Sequence, residues 1–266
     1  MRLNQFLARA GVSSRRGGDD LIRQGAVSVN GAGVTDMGRQ VDPAKDSIKV
    51  NGKRVTLKEF HYYLYYKPDG VMCTLEDPED RPNLGDMVRR LGAGRLFPVG
   101  RLDFHTEGLL LLTNDGALAQ KLLHPKFQVA RIYQAKVQGI LTPEEFERLG
   151  KGLRLEDGWA SAEAKPMEKL ETNSYVQLIV REGRNRLVRR LMEAMGHPVV
   201  KLKRVGFGPL KLHPMKPGDV RELEPRELKD LWRSTGVANP APRKPRKPGF
   251  KNKKRLTRSP RQGGAQ

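Results

Sequence analysis

The segment from Gly100 to Gly116, GRLDFHTEGLLLLTNDG, places a single acid, Asp103, just ahead of four consecutive leucines, Leu109 to Leu112. The leucines read as the buried middle of a strand, and the flanking glycines mark turns. An aspartate in that position is either a turn or cap residue or a carboxylate held beside a pocket for acid, base or nucleophilic work. His105 and Thr106 follow closely, but no serine stands in a nucleophile-elbow context, so a Ser/His/Asp arrangement is rejected. The stretch GFGPL (206–210) lacks the Lys-Ser/Thr that a phosphate loop requires and reads as a turn. The lone Cys73 forms no intrachain disulfide, which fits a reducing cytoplasm, and no Cys/His cluster has zinc spacing.

The elements that must position this acid are legible in outline. At 266 residues and 37% hydrophobic content, the chain has room for one large or two modest domains with a real core. Fifty Lys and Arg against thirty Asp and Glu give a net charge of +20, which suits a polyanionic partner. A membrane role is not expected, because no apolar run approaches the roughly 18 residues of a spanning helix and the start has no secretory core. Residues 237–266 carry ten Lys and Arg, no acid and five prolines, the composition of a disordered basic arm that adds salt-sensitive affinity for phosphate.

Residues 1–57 form one expected unit. Leu3, Phe6, Leu7 and Ala10 recur at helical spacing with Gly11 as the stop, and Ser13 or Ser14 can cap a second helix carrying Leu21 and Ile22. Asn30-Gly31 and Asn51-Gly52 are hairpin signals. Arg15, Arg16 and Arg23 lie on the second helix and could share a face.

From 60 to 236 the chain reads as mixed strand and helix. YYLYYKP (62–68), YQAKVQG (133–139) and VQLIV (176–180) are strands; TPEEFERLGKG (142–152) is a helix capped by Thr142 with Pro143 at its first position; NRLVRRLMEAMGH (185–197) is a helix with arginines between its apolar positions. Strands and helices do not alternate regularly, so the expected class is α+β: a small N-terminal domain, then a larger domain whose mainly antiparallel sheet is flanked by helices.

Two resemblances sharpen this outline. RLNQFLARAGVSSRR…LIRQGAVSVNG resembles the S4 RNA-binding domain, which implies Arg15, Arg16 and Arg23 as contacts to RNA phosphates. Gly17-Gly18 departs from relatives that have helix formers there, and since each glycine costs up to about 1 kcal/mol inside a helix, a late or frayed start is expected. GRLDFHTEGLLLLTNDG, ARIYQAKVQG (130–139) and REGRNRLVRRLMEAMGHPVVKLKRVGFGPL (181–210) together resemble the RsuA-type ribosomal-RNA pseudouridine synthases with an N-terminal S4 domain, in family order from Arg2 to about Trp232. That resemblance implies isomerisation of uridine to pseudouridine in ribosomal RNA, without cofactor or metal. It implies Asp103 as the essential acid, Tyr133 as the active-site tyrosine, and Arg101 as a wedge or phosphate clamp for the flipped nucleotide.

The chemistry itself asks for one ionised carboxylate at the sugar, either to attack C1′ or to take the C2′ proton. A guanidinium should stand near to keep it charged; resemblance points to Arg189, with Arg186 as runner-up because sequence does not orient the helix. His105 is then a loop side chain near RNA, and Leu187 stands where many relatives have glutamine. The basic arm favours 23S over 16S rRNA as substrate, and a monomer without membrane attachment is expected. A non-catalytic assembly factor of the same fold and a glycosidic hydrolase are the rivals; the hydrolase lacks an evident second acid.

Overall fold

The structure, a computed structural model, describes residues 1–236. The arm at 237–266 lies outside the described residues. In chain order the first part contains helices α1 (Leu3–Arg9) and α2 (Arg15–Arg23), then strands β1 (Val27–Val29), β2 (Ala32–Gly33), β3 (Ile48–Val50) and β4 (Lys53–Val55). The second part opens with β5 (Tyr62–Lys67), α3 (Gly85–Leu91), β6 (Phe97–Pro98), β7 (Thr106–Thr113) and α4 (Gly116–Leu123). It continues with β8 (Arg131–Gln138), α5 (Pro143–Lys151), β9 (Leu153–Leu155), β10 (Gly158–Ala160), β11 (Glu163–Lys169) and β12 (Asn173–Val180). It closes with α6 (Leu187–Ala194), β13 (Val199–Phe207), β14 (Leu210–Lys211), β15 (Val220–Glu222) and α7 (Pro225–Arg233).

In the first part, Leu3, Phe6 and Leu7 of α1 pack with Ile22, Val27, Val29 and Ile48 as one cluster. Gly11 follows α1 at φ +81°. Ser14 caps α2 by accepting from the Gly17 N–H at 3.0 Å, which resolves the choice between the two serines. The helix begins at Arg15, so Gly17-Gly18 does not delay it. The reason is steric: an added Cβ on Gly18 would lie 3.4 Å from the Asn4 backbone, and the glycine lets the two helices approach backbone to backbone. Both Asn-Gly pairs sit at positive φ, Asn30 at 53° and Asn51 at 48°, and turn the hairpins β1–β2 and β3–β4 of a sheet ordered β2-β1-β3-β4.

The large sheet runs β11-β12-β8-β13-β7-β5-β15. All neighbours along it pair antiparallel except β13 and β7, which are parallel. The four leucines follow from the position of β7 near the middle. Leu109 and Leu111 join one core cluster with Tyr62, Leu64, Phe207 and Trp232. Leu110 and Leu112 join the other, with Tyr65, Tyr133 and Leu191. A strand covered on both faces needs apolar residues at both parities. The expected helix over 142–152 carries the full capping box of Thr142 and Glu145. The helix expected at 185–197 is shorter, because Arg186 adopts a left-handed conformation, φ 49°, and α6 starts after it. GFGPL is the turn between β13 and β14.

Candidate active site

The parallel pair sets the site. Thr106 at the start of β7 pairs with Leu202 of β13, so the segments entering these two strands meet at one end of the sheet. One is the loop Arg101–His105; the other is α6 with the loop before it. On the far side of β13, Arg204 pairs with Tyr133 of β8, and Val180, where β12 ends, pairs with Arg131. One concavity is therefore lined by Arg101, Asp103, Arg131, Tyr133, Arg186 and Arg189. A second opening shares Arg101, Asp103, Arg131 and Arg186 and extends toward Cys73.

The acid loop is fixed residue by residue. The Leu102 N–H donates to Cys73 Sγ at 3.3 Å. The Asp103 carbonyl accepts from the Thr106 N–H at 3.0 Å, and the Phe104 carbonyl from the Gly70 N–H at 3.0 Å. Lys67 Nζ donates to the carbonyls of Pro68, Val71 and Phe104. The His105 carbonyl accepts from Arg189 at 2.7 Å. These bonds fix the backbone of the loop, which is what positional chemistry demands. Lys67 is fully buried, and burial lowers its pKa against the pull of Cys73, Asp69 and Asp103. Burial also pushes the Cys73 thiol up.

Two guanidinium groups face the Asp103 carboxylate. Its Oδ2 lies 3.8 Å from Arg186 Nη1 and 3.9 Å from Arg189 Nε. Both separations exceed hydrogen-bond length, so the acid has charge compensation while its side-chain oxygens accept no hydrogen bond from the described residues. The two arginines differ in setting. The Arg189 side chain is 14% exposed, that of Arg186 54%. Arg189 also donates to the carbonyls of Val199 and His105, and its burial, followed by the neighbouring Arg186, lowers its pKa. Arg186 is held near the acid by its left-handed backbone, a costly conformation of the kind that collects at functional sites.

Tyr133 is buried on β8 and faces the concavity. Arg101 lines both openings and makes no ion pair among the described residues. His105 is exposed and pairs with Asp69 at 3.3 Å. Arg16 and Arg23 are seven residues apart and so project from one side of α2, while Arg15 is rotated by about 100°; all three are exposed. Arg23 is already bonded to Asp20 at 2.7 Å.

Sequence reasoning missed Lys67, Arg131 and Arg204. Arg131 is 6% exposed and donates to the Val129 carbonyl; burial lowers its pKa. Arg204 is 2% exposed and donates through Nε to the Leu109 carbonyl. The signal was parity: Arg131 alternates in phase with buried Tyr133, Ala135 and Val137, and Arg204 with Leu202. A cation in the inward phase of a strand is costly unless a site uses it.

Comparison with known proteins decides the family. The family model for RNA pseudouridylate synthase matches residues 61–194, which contain Asp103, Tyr133 and Arg189, and that for the S4 domain matches residues 1–48. The chain belongs to the RNA pseudouridylate synthase family. It is 46% identical over 233 residues to the ribosomal large subunit pseudouridine synthase B of Bacillus subtilis (strain 168), an alignment covering 86% of this chain and 95% of that protein. It is 40% identical over 239 residues to an uncharacterized RNA pseudouridine synthase of Aquifex aeolicus (strain VF5), covering 89% and 96% of the two chains. A crystal structure of a pseudouridylate synthase superposes with TM-score 0.62 at 28% identity, covering 87% of this chain and 99% of the other. In this RNA pseudouridylate synthase no helix among the described residues is long and apolar enough to cross a membrane.

Proposed function

We propose that this synthase converts a uridine of large-subunit (23S) ribosomal RNA to pseudouridine, with Asp103 acting on the ribose of a flipped nucleotide. The observation that carries the reading is the Asp103 carboxylate opposite Arg186 and Arg189 in a concavity that also holds Tyr133. Asp103 attacks C1′ or removes the C2′ proton, and in either route the bond from C1′ to N1 of uracil breaks. The base turns and C5 bonds to C1′, as the Asp103–C1′ ester breaks in the first route or as Asp103 returns its proton to C2′ in the second, so the carboxylate is regenerated. The proton leaving C5 is the one to which the Tyr133 hydroxyl is assigned, and N1 ends protonated, so atoms balance without water or a redox partner. Arg189 compensates the charge of Asp103 and holds the loop that carries it through the His105 carbonyl. Arg101 clamps a phosphate beside the extruded nucleotide, whose unstacking costs a few kcal/mol.

The large-subunit assignment rests on likeness to the Bacillus subtilis protein, which bears that name, and on the basic arm. Three functional regions follow: residues 1–57 and 237–266 supply phosphate affinity, and 60–236 the chemistry, in a monomer acting in the cytoplasm on ribosomal RNA or an assembly intermediate. Asp103→Asn, nearly isosteric, should abolish turnover while RNA binding survives. Chemical mapping of pseudouridine in both ribosomal RNAs, with and without the gene, tests the target. A site lost from 16S would redirect the assignment, and no lost site would leave a binding factor. Removal of 237–266 should lower the salt dependence of binding and spare the chemical step.

A further inference from the structure

The rim of the site carries a feature that the chemistry at Asp103 does not use. Across the hairpin of β9 and β10, Trp159 pairs directly with Arg154, so the two side chains emerge on the same face. The opposite face is sealed, with Leu153 and Ala160 inside the larger core cluster. On the outer face Trp159 is 70% exposed, the most exposed large apolar side chain among the described residues. Arg154 beside it is exposed as well. The indole lies beside Gly152, where an added Cβ would come within 3.5 Å of its Cε3.

The hairpin is fastened to the site. Asp157 in its turn accepts from Arg184 through one carboxylate oxygen and from Arg190 through the other, each at 2.9 Å. Arg190 and then Arg184 hold that carboxyl below the usual range. Arg184 also donates to the Trp159 carbonyl and itself lines the concavity around Asp103. Arg190 lies on α6 with Arg189. The hairpin that carries the indole is therefore tied through Arg184 and Arg190 to the segments around the acid.

An exposed aromatic face paired with a guanidinium matches an unpaired nucleotide, whose base stacks and whose phosphate takes the cation. A protein partner would ask for a wider apolar surface, but Glu156 and Asp157 beside Trp159 are polar and exposed. We propose that Trp159 and Arg154 form a stacking platform for an unpaired nucleotide flanking the target uridine, an inference that rests on the RNA-modifying reading above.

The test uses the full-length protein, a transcript of large-subunit rRNA, and the variants Trp159→Ala, Trp159→Phe and Arg154→Ala. The chain has two tryptophans and Trp232 is 3% exposed, so acrylamide-quenchable emission reports on Trp159. The transcript should protect that emission. Trp159→Ala should weaken binding and raise KM about tenfold with kcat within about twofold, because stacking is lost and the chemistry is untouched. Trp159→Phe should recover most of the loss, and Arg154→Ala should lower the salt slope. Unchanged affinity in both alanine variants, with no protection, overturns the platform. Weakened binding only to protein-containing particles overturns the RNA partner in favour of a ribosomal protein. Protection and affinity need no turnover, so a wild type that binds without converting uridine counts against the reaction alone, and the platform is still decided by its own readouts.

Discussion

Arg189 presents its Nε to Asp103 at 3.9 Å while its two terminal nitrogens are held by the carbonyls of His105 and Val199. One side chain thus braces the loop that carries the acid and compensates the acid's charge. Lysine cannot do both, since a single ammonium lacks the planar fork. Arg189→Lys should lower the single-turnover rate roughly a hundredfold, the scale of losing one organised electrostatic contact, with RNA affinity changed only a few-fold. Arg186→Lys should cost less than tenfold, because that side chain is half exposed and water screens it. Equal losses in the two variants would refute this division.

Gly108 offers a steric test of the parallel pairing. It sits at φ +114°, and an added Cβ would lie 2.2 Å from the Arg204 carbonyl oxygen and 2.8 Å from the Arg204 nitrogen. Neither strand can yield without disturbing β7 or β13, whose alignment brings the Asp103 loop to α6. Gly108→Ala should destabilise by about 3 kcal/mol or more. Gly150→Ala in α5 has open space and no positive φ, and should be neutral or stabilising by up to about 1 kcal/mol. Urea midpoints of the two variants check the contrast.

What could be read from sequence was local. Both Asn-Gly hairpins and the Thr142 cap are settled by residues a few positions apart, and the four leucines announced a strand covered twice. The Gly17-Gly18 expectation failed because helix propensity says nothing about a second helix approaching through the glycine. The pairing of β7 with β13 links residues about a hundred positions apart, and no local signal encodes it. Hence the acid was legible as a motif, but the equal approach of Arg186 and Arg189 and the buried Lys67, Arg131 and Arg204 were not.

Tyr65 predicts a pH dependence. Burial, with a lesser contribution from Cys73, pushes its phenol up to about 12, whereas an unfolded tyrosine titrates near 10. Between these values the unfolded chain has released a proton that the folded one keeps. Stability present below pH 10 is therefore lost as pH rises toward 12. Lys67, lowered by burial, acts oppositely below its ordinary value but does so in both proteins being compared. Tyr65→Phe should lose about 1 kcal/mol less stability than wild type between pH 8 and pH 11, as urea midpoints will show. An identical decline in both would remove this assignment.

The Arg23 contact to Asp20, 2.7 Å between two exposed side chains, bears on how the first part of the chain binds RNA. An exposed pair of this kind contributes little to stability, yet the carboxylate competes with phosphate for the guanidinium and repels the polyanion. Asp20→Asn should therefore leave the melting temperature within about 2 °C, raise RNA affinity a few-fold at low salt, and steepen the salt slope by up to about one. Arg23→Ala should flatten that slope by a similar amount. Arg16, on the same side of α2, should behave like Arg23. Filter binding across a salt series separates the outcomes, and slopes identical to wild type in all three variants would exclude α2 from the phosphate-binding surface.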